Sequence, residues 1–211
     1  MSTIPTKEEM YHALEERHGI DFQRKMSRSS AAVCGLGGLG SNIAIALART
    51  GIGRLHIIDF DKVDISNLNR QQYFADQIGE FKTKALADIL LKIAPYCEVI
   101  PHCIKLTEEN IPDILKDDDV ICEAFDMAEQ KAMLVNCVLE KLPDKYLVAA
   151  SGMAGTGSAN LIKTRRITDR FFICGDEESD VEEAGSLVSA RVMLCAAHQA
   201  LMAVKILTNN F

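Results

Sequence analysis

Between residues 30 and 152, short apolar runs alternate with longer stretches whose apolar positions recur every three or four residues. SAAVCG (30–35), RLHIID (54–59), CEVIPHCI (97–104), DVICEAF (119–125) and YLVAASG (146–152) are short enough, and apolar enough, to be strands covered on both faces. LGSNIAIALARTG (39–51) has helical spacing and meets stop signals at Gly51 and Gly53. EFKTKALADILLKIAP (80–95) is amphipathic and ends at Pro95, TEENIPDILK opens on a cap-like Thr107 with Glu109 behind it, and AEQKAMLVNCVLEK (128–141) completes the helices. The alternation predicts an α/β fold with a mostly parallel sheet flanked by helices on each side. Upstream, residues 6–28 predict one helical segment with Met10, Leu14 and Phe22 as its apolar positions. Downstream, SANLIKTRRITDRFFICG (158–175) predicts antiparallel strands, GDEESDVEEAGS (175–186) a loop, and residues 186–209 a long apolar helix. No internal repeat or low-complexity linker interrupts the pattern, so residues 1–211 read as one domain.

Composition narrows the function classes. The chain has 211 residues and a formal net charge of −7, with a sequence pI near 5.3. Nucleic-acid binding through a broad basic surface is therefore not expected, since that mode needs cations to displace phosphate counterions. No uninterrupted apolar run reaches the roughly 20 residues that span a bilayer. MSTIPTKEEMYHALEERHG lacks the apolar core of a secretory signal, so the expected compartment is the cytoplasm. The seven cysteines form no C-x-x-C and no zinc-like spacing with histidine. Most lie inside apolar runs, as small buried hydrophobes would in a reducing compartment.

Candidate chemistry starts at Gly35-Leu36-Gly37-Gly38-Leu39-Gly40, a G-x-G-x-x-G run between a predicted strand and a predicted helix. Glycines there let the backbone approach a phosphate, and the helix N-terminus presents free N–H groups to it. Asp59, 24 residues after Gly35, ends the next strand, where a carboxylate accepts hydrogen bonds from ribose hydroxyls. A dinucleotide would satisfy those features. It would not account for DFDKVDISNLNRQQYF (59–74), which crowds Asp59, Asp61, Asn67, Arg70 and Gln71 together, or for Lys82 beyond it. Arginine and lysine gathered past the second strand suit a triphosphate, whose oxygens gather charge during nucleotidyl transfer. Such chemistry also wants a carboxylate for Mg²⁺, and Asp126 follows the fourth strand, at the sheet end where ligands bind.

Taken together, CGLGGLGS (34–41), DFD (59–61), SNLNRQ (66–71), IGEFK ending at Lys82, and Asp126 after VICEAF resemble the ThiF/MoeB/HesA superfamily. These are adenylating enzymes related to the ubiquitin-activating enzymes. SNLNRQ is the most specific piece, and the likeness runs from about residue 17 to the C-terminus. Among these enzymes the chain looks most like compact ThiF-type sulfur carrier adenylyltransferases of thiamine biosynthesis. The resemblance implies a Rossmann-like fold, ATP and Mg²⁺. It also implies AMP transfer to the C-terminal Gly-Gly carboxylate of a small ubiquitin-fold carrier, with release of pyrophosphate. Carried over, Gly35, Gly37, Gly38 and Gly40 would line the phosphates and Asp59 the ribose. Asn67, Arg70 and Lys82 would contact phosphate, with Gln71 in support, and Asp126 would ligate Mg²⁺. Arg17 would reach the triphosphate across a homodimer interface.

Each of these positions has an ordinary alternative. Arg17 could pair with Glu15 or Glu16 on a solvated helix, and Asp126 could cap the helix that AEQK begins. Asp61 is a ribose or metal contact or a turn residue, and the role of Lys131, where relatives often carry arginine, is open. Relatives with two C-x-x-C pairs bind structural zinc; this chain lacks them, so no zinc is expected. The 175–186 loop, which in relatives covers the carrier tail, holds no cysteine, which leaves Cys174 as the nearest thiol for a covalent step. The long apolar helix is either a dimer face or a core helix. Competing functions are adenylation of another carrier, of the molybdopterin type, or of a modified tRNA base. More remote are an NAD(P)-dependent oxidoreductase and an inactive carrier-binding module.

Overall fold

A computed structural model describes residues 4–211. Helices α1 (Lys7–His18) and α2 (Ile20–Arg28) precede a sheet of seven strands. β1 (Ser30–Cys34), α3 (Gly38–Arg49), β2 (Arg54–Ile58), α4 (Lys82–Ile93), β3 (Glu98–His102), α5 (Ile111–Leu115), β4 (Val120–Glu123), α6 (Ala128–Lys141) and β5 (Tyr146–Ala150) then alternate. β6 (Lys163–Arg166), β7 (Phe171–Gly175), the short α7 (Val181–Ala184) and α8 (Ser189–Thr208) complete the chain.

The strand order is β3-β2-β1-β4-β5-β7-β6. Five neighbouring pairs are parallel, and only β6 runs antiparallel, against β7. The α/β sheet expected from the sequence is thus present, and the antiparallel strands expected in 158–175 are β6 and β7, of which β7 also joins β5 in parallel. One correction concerns residues 6–28. Gly19 at φ +89° breaks them into two helices, since glycine alone enters that region without a Cβ penalty. A second concerns the helix after β3, which starts at Ile111 rather than Thr107. The Asn110 side chain accepts the Thr107 N–H at 2.8 Å, and Pro112 sits in the first turn, where its missing N–H costs nothing.

Two apolar layers sandwich the sheet. α3, α4 and α8 pack on one face around Val33, Leu55, Ile57, Val120 and Cys122, all buried. α5 and α6 cover the other, around Ala32, Ile58, Ile121 and Leu147. Each large side chain fully removed from water contributes about 1.5–3 kcal/mol, so this double cover accounts for the near-continuous apolar strands. α8 has the length and composition of a bilayer-spanning helix. It is instead a core helix, packed on α3, α2 and strands β4 to β7, with twelve of its residues buried.

The order β2-β1-β4 sets the topological switch point. The chain leaves β1 toward β2 and leaves β4 toward β5, so the carboxyl ends of β1 and β4 diverge and open a crevice between them.

Candidate active site

A cleft of about 670 Å³ occupies that crevice. The loop after β1, the segment from Asp59 to Lys82, the turn after β4 and the segments after β5 and β7 all face it. Its lining includes Gly35, Gly37, Gly38, Asp59, Asp61, Asn67, Arg70, Gln71, Lys82 and Asp126. Residues spread over more than ninety positions of sequence thus meet in one place.

The glycine loop is shaped by close approaches. Gly35 lies at φ +90°, and a Cβ on it would come within 2.8 Å of the Ala124 carbonyl oxygen. Gly37 is open: a Cβ there would meet only the Gln71 Nε2, at 3.8 Å, so this backbone is free to meet a ligand. A Cβ on Gly38 would crowd the Arg70 side chain at 3.3 Å, which shows how closely the guanidinium stem lies along the loop. Gly40 is different. It is buried inside α3, does not line the cleft, and a Cβ on it would overlap the Gly35 carbonyl. Its glycine is required for the helix to pack on the loop, not for contact with a phosphate.

Asp59, 8% exposed, holds the loop in place. Oδ2 accepts the Leu36 N–H at 2.7 Å and Oδ1 accepts the Asp61 N–H at 2.7 Å. Each oxygen keeps a lone pair for a further donor. The Tyr73 hydroxyl donates to the Leu36 carbonyl at 2.7 Å from the other side. Lys82, also buried, donates from Nζ to Asp61 at 3.0 Å and lies 3.9 Å from Asp59, so Asp61 orients the lysine and is more than a turn residue.

The segment around Arg70 is braced by residues the sequence reading did not single out. Asn42 of α3 donates to the Gly38 and Arg70 carbonyls and accepts from Gln72, while Ser41 accepts the Gln72 N–H. Arg70 itself is held at Nη1 by Asn69 at 2.8 Å and the Ser66 carbonyl at 3.3 Å. Asn67 closes a capping box with Asp64. Gln71 is a buried lining residue of the cleft, and its Oε1 is unpartnered among the described residues. Such an orphan is costly unless a ligand or water meets it.

Asp126 stands exposed on the rim, and α6 begins at Ala128 with Met127 at its N-cap and no side-chain cap. The capping alternative is therefore absent. No cluster of three metal-ligating side chains exists among the described residues. One carboxylate facing a phosphate cradle fits Mg²⁺, which prefers a carboxylate or two together with phosphate oxygens and water to a cage of protein ligands.

Arg17 does not reach this cleft within the chain. It lines a separate hollow with Ala48, Arg49, Ile93 and Ala94, at the C-terminal ends of α3 and α4. The cleft lies at the N-terminal end of α3, twelve residues or about 18 Å away along the helix. No cysteine is among the residues that line the cleft. Cys34, Cys122, Cys137, Cys174 and Cys195 are buried. Burial pushes the Cys174 thiol up to about 11, although Thr164 opposes it through a hydrogen bond, which disfavours the thiolate that a nucleophile needs.

The sequence reading left Glu123 and Lys131 without roles. Glu123, 1% exposed, accepts Lys131 Nζ on both oxygens at 2.9 Å. Burial pushes its carboxyl above the ordinary value, against the opposing charge and hydrogen bond of Lys131 and the N–H groups of Phe125 and Ala150. Glu123 sits in the middle of an apolar run, where nothing marks a carboxylate as paired.

The ThiF family model matches residues 11–210. The chain belongs to the ThiF family. The adenylyltransferase and sulfurtransferase MOCS3 of Aedes aegypti is 31% identical over 91% of this chain and 45% of its own length. MOCS3-1 of Zea mays is 36% identical over 68% of this chain and 31% of its own. The chain thus spans less than half the length of these curated relatives. Among solved structures, E. coli tRNA N6-threonylcarbamoyladenosine dehydratase, TcdA, in complex with AMP shares the fold at a TM-score of 0.86 and 21% identity, over 99% of this chain and 98% of that one. E. coli MccB with ATP shares it at 0.70 and 19% identity, over 92% and 59%.

Proposed function

We propose that this chain catalyses ATP-dependent adenylylation of a carboxylate. The favoured acceptor is the C-terminal Gly-Gly carboxylate of a small ubiquitin-fold sulfur carrier, and pyrophosphate is the leaving group. The observation that carries the reading is the convergence of an open glycine loop, Arg70, Lys82 and an uncapped Asp126 on one cleft. A nicotinamide site has no use for that set.

The backbone at Gly37 and the N-terminus of α3 receive phosphate oxygens, and Asp59 accepts ribose hydroxyls on its remaining lone pairs. Arg70 and Lys82 offset the charge that builds on the α-phosphate as the acceptor carboxylate attacks. Without them two anions would repel at the moment they must meet. Bound at Asp126, Mg²⁺ would add further neutralisation of the phosphates. Arg17, remote within its own chain, acts from a second copy in a homodimer. With no cysteine among the residues lining the cleft, the reading stops at the acyl adenylate and includes no thioester on this chain. Adenylyltransferase and sulfurtransferase relatives support a sulfur-linked carrier. Their names do not favour the thiamine pathway over other sulfur-carrier pathways.

A second reading is adenylation of the carboxylate on a modified tRNA base. TcdA, whose name states a tRNA substrate, matches nearly the whole of both chains. Exchange of labelled pyrophosphate into ATP separates the two. Exchange that requires a Gly-Gly carrier supports the first reading, exchange that requires tRNA the second, and exchange with neither contradicts both.

A further inference from the structure

Asp126 is the residue of the cleft with the least visible support. It lies on the exposed turn between β4 and α6, without a cap to hold it. A side chain that must present one carboxylate to a nucleotide needs its backbone fixed to within a fraction of an ångström. The fixing element is buried beneath it. The Glu123 carboxylate accepts the Phe125 N–H at 2.7 Å, immediately before Asp126. It accepts Lys131 Nζ at 2.9 Å on each oxygen, five residues after Asp126. It also receives the Ala150 N–H at 3.5 Å, at the end of β5, whose continuation lines the cleft. From the opposite face, Gln199 of α8 donates to the Glu123 carbonyl at 2.8 Å and to the Val148 carbonyl at 3.1 Å. Glu123 is thus gripped from both helix layers, and the turn carrying Asp126 is closed on both sides by bonds to one carboxylate.

We propose that Glu123 and Lys131 are positioning residues for Asp126, and that the buried pair exists to hold the magnesium-binding carboxylate at the cleft. A buried ion pair is a poor source of stability, because desolvation offsets most of the attraction. Its position straddling Asp126 gives it a reason that stability does not. Lys131 lines the cleft, but the carboxylate engages its ammonium, so it acts through the turn rather than on the phosphate. The inference rests on the function proposed above, and in particular on Asp126 as the Mg²⁺ ligand.

The test is the magnesium dependence of ATP binding to the full chain, followed by calorimetry in EDTA and across a magnesium titration. Lys131→Met raises the magnesium concentration that gives half of the metal-dependent tightening at least tenfold, and changes the affinity for metal-free ATP less than threefold. Lys131→Arg restores the midpoint to within threefold of the wild type. The double variant Glu123→Gln/Lys131→Met shows the same defect while leaving no unpaired buried charge, and circular dichroism confirms that it folds. An unchanged magnesium midpoint in the folded double variant overturns the proposal. A fall in metal-free ATP affinity parallel to the magnesium defect also overturns it, since Lys131 would then contact phosphate directly. A wild-type chain that binds no ATP refutes the function itself, an outcome distinct from either of these.

Discussion

The wall of the cleft formed by residues 35–82 is bound to itself at many points, whereas the cover formed by residues 176–188 is held at its ends and free between them. In the wall, Asp59, Tyr73, Asn42 and Ser41 each tie the glycine loop or α3 to the segment that follows β2. In the cover, Asp176 anchors one end through Arg191 and Ser179, and at the other end the Ser186 carbonyl accepts the Gly155 N–H. Between these anchors, Asp180 to Gly185 bond only to one another and lie exposed. The difference follows the two tasks. Under the proposed function, a wall that reads phosphate and ribose would gain from preorganisation, and a cover that admits a substrate would have to open at low cost.

The comparison is broken most strongly in the wall. Replacement of Arg70 or Asp126 by Ala lowers the rate of adenylylation on the order of 10²–10³-fold, the magnitude for removing one preorganised group facing transition-state charge. Steady-state assays with saturating carrier measure it. Gly40→Ala comes next. Its methyl group would overlap the Gly35 carbonyl and push the loop out of shape, so ATP affinity falls at least about tenfold in a chain that still folds. Calorimetric titration reads that loss.

Changes in the cover act on mobility before affinity. Arg191→Met removes the partner of Asp176 and of the Gly157 and Ser158 carbonyls. Limited proteolysis within residues 176–188 then proceeds roughly tenfold faster, while ATP affinity without carrier stays within about threefold. The same anchor is sensitive to acid. Burial pushes the Asp176 carboxyl up, but the Ser179 and Glu178 N–H groups, the Ser179 hydroxyl and Arg191 outweigh it and hold it at about 2, below its ordinary 3.8. A carboxylate depressed in this way stabilises the fold fully above its ordinary value. That stabilisation is lost as pH falls through the window from about 4 to about 2. Amide exchange in the cover therefore accelerates over that window, relative to the core, and Asp176→Asn abolishes the dependence. Cys174→Ala has the smallest effect, leaving adenylylation within about twofold, because the thiol is buried and away from the cleft.

Much of this architecture is legible in the sequence for a physical reason. Strands buried on both faces must be apolar throughout, and their alternation with amphipathic helices leaves few foldings other than a parallel sheet. The glycine loop and the run from Asp59 to Gln71 are legible because anion binding demands particular residue types at fixed spacing. Features that depend on long-range pairing are not. Nothing in FFICG declares that β7 will align with β5, and nothing local distinguishes Gly19 from a tolerated helical glycine. Gly40 fits the phosphate pattern equally well whether it meets a ligand or a neighbouring carbonyl. Arg17 reads as part of the site by resemblance, and the fold places it at the far end of the sheet. Glu123 and Lys131 stay hidden because their meaning lies in each other and in the turn between them.

Intact mass spectrometry of a Gly-Gly carrier, incubated with this chain and MgATP, tests the central claim most directly. The account predicts a carrier heavier by one AMP, present with the wild type and absent with Asp126→Ala. A wild-type chain that binds ATP in the cleft yet leaves every carrier and every carboxylate-bearing tRNA unmodified would contradict it.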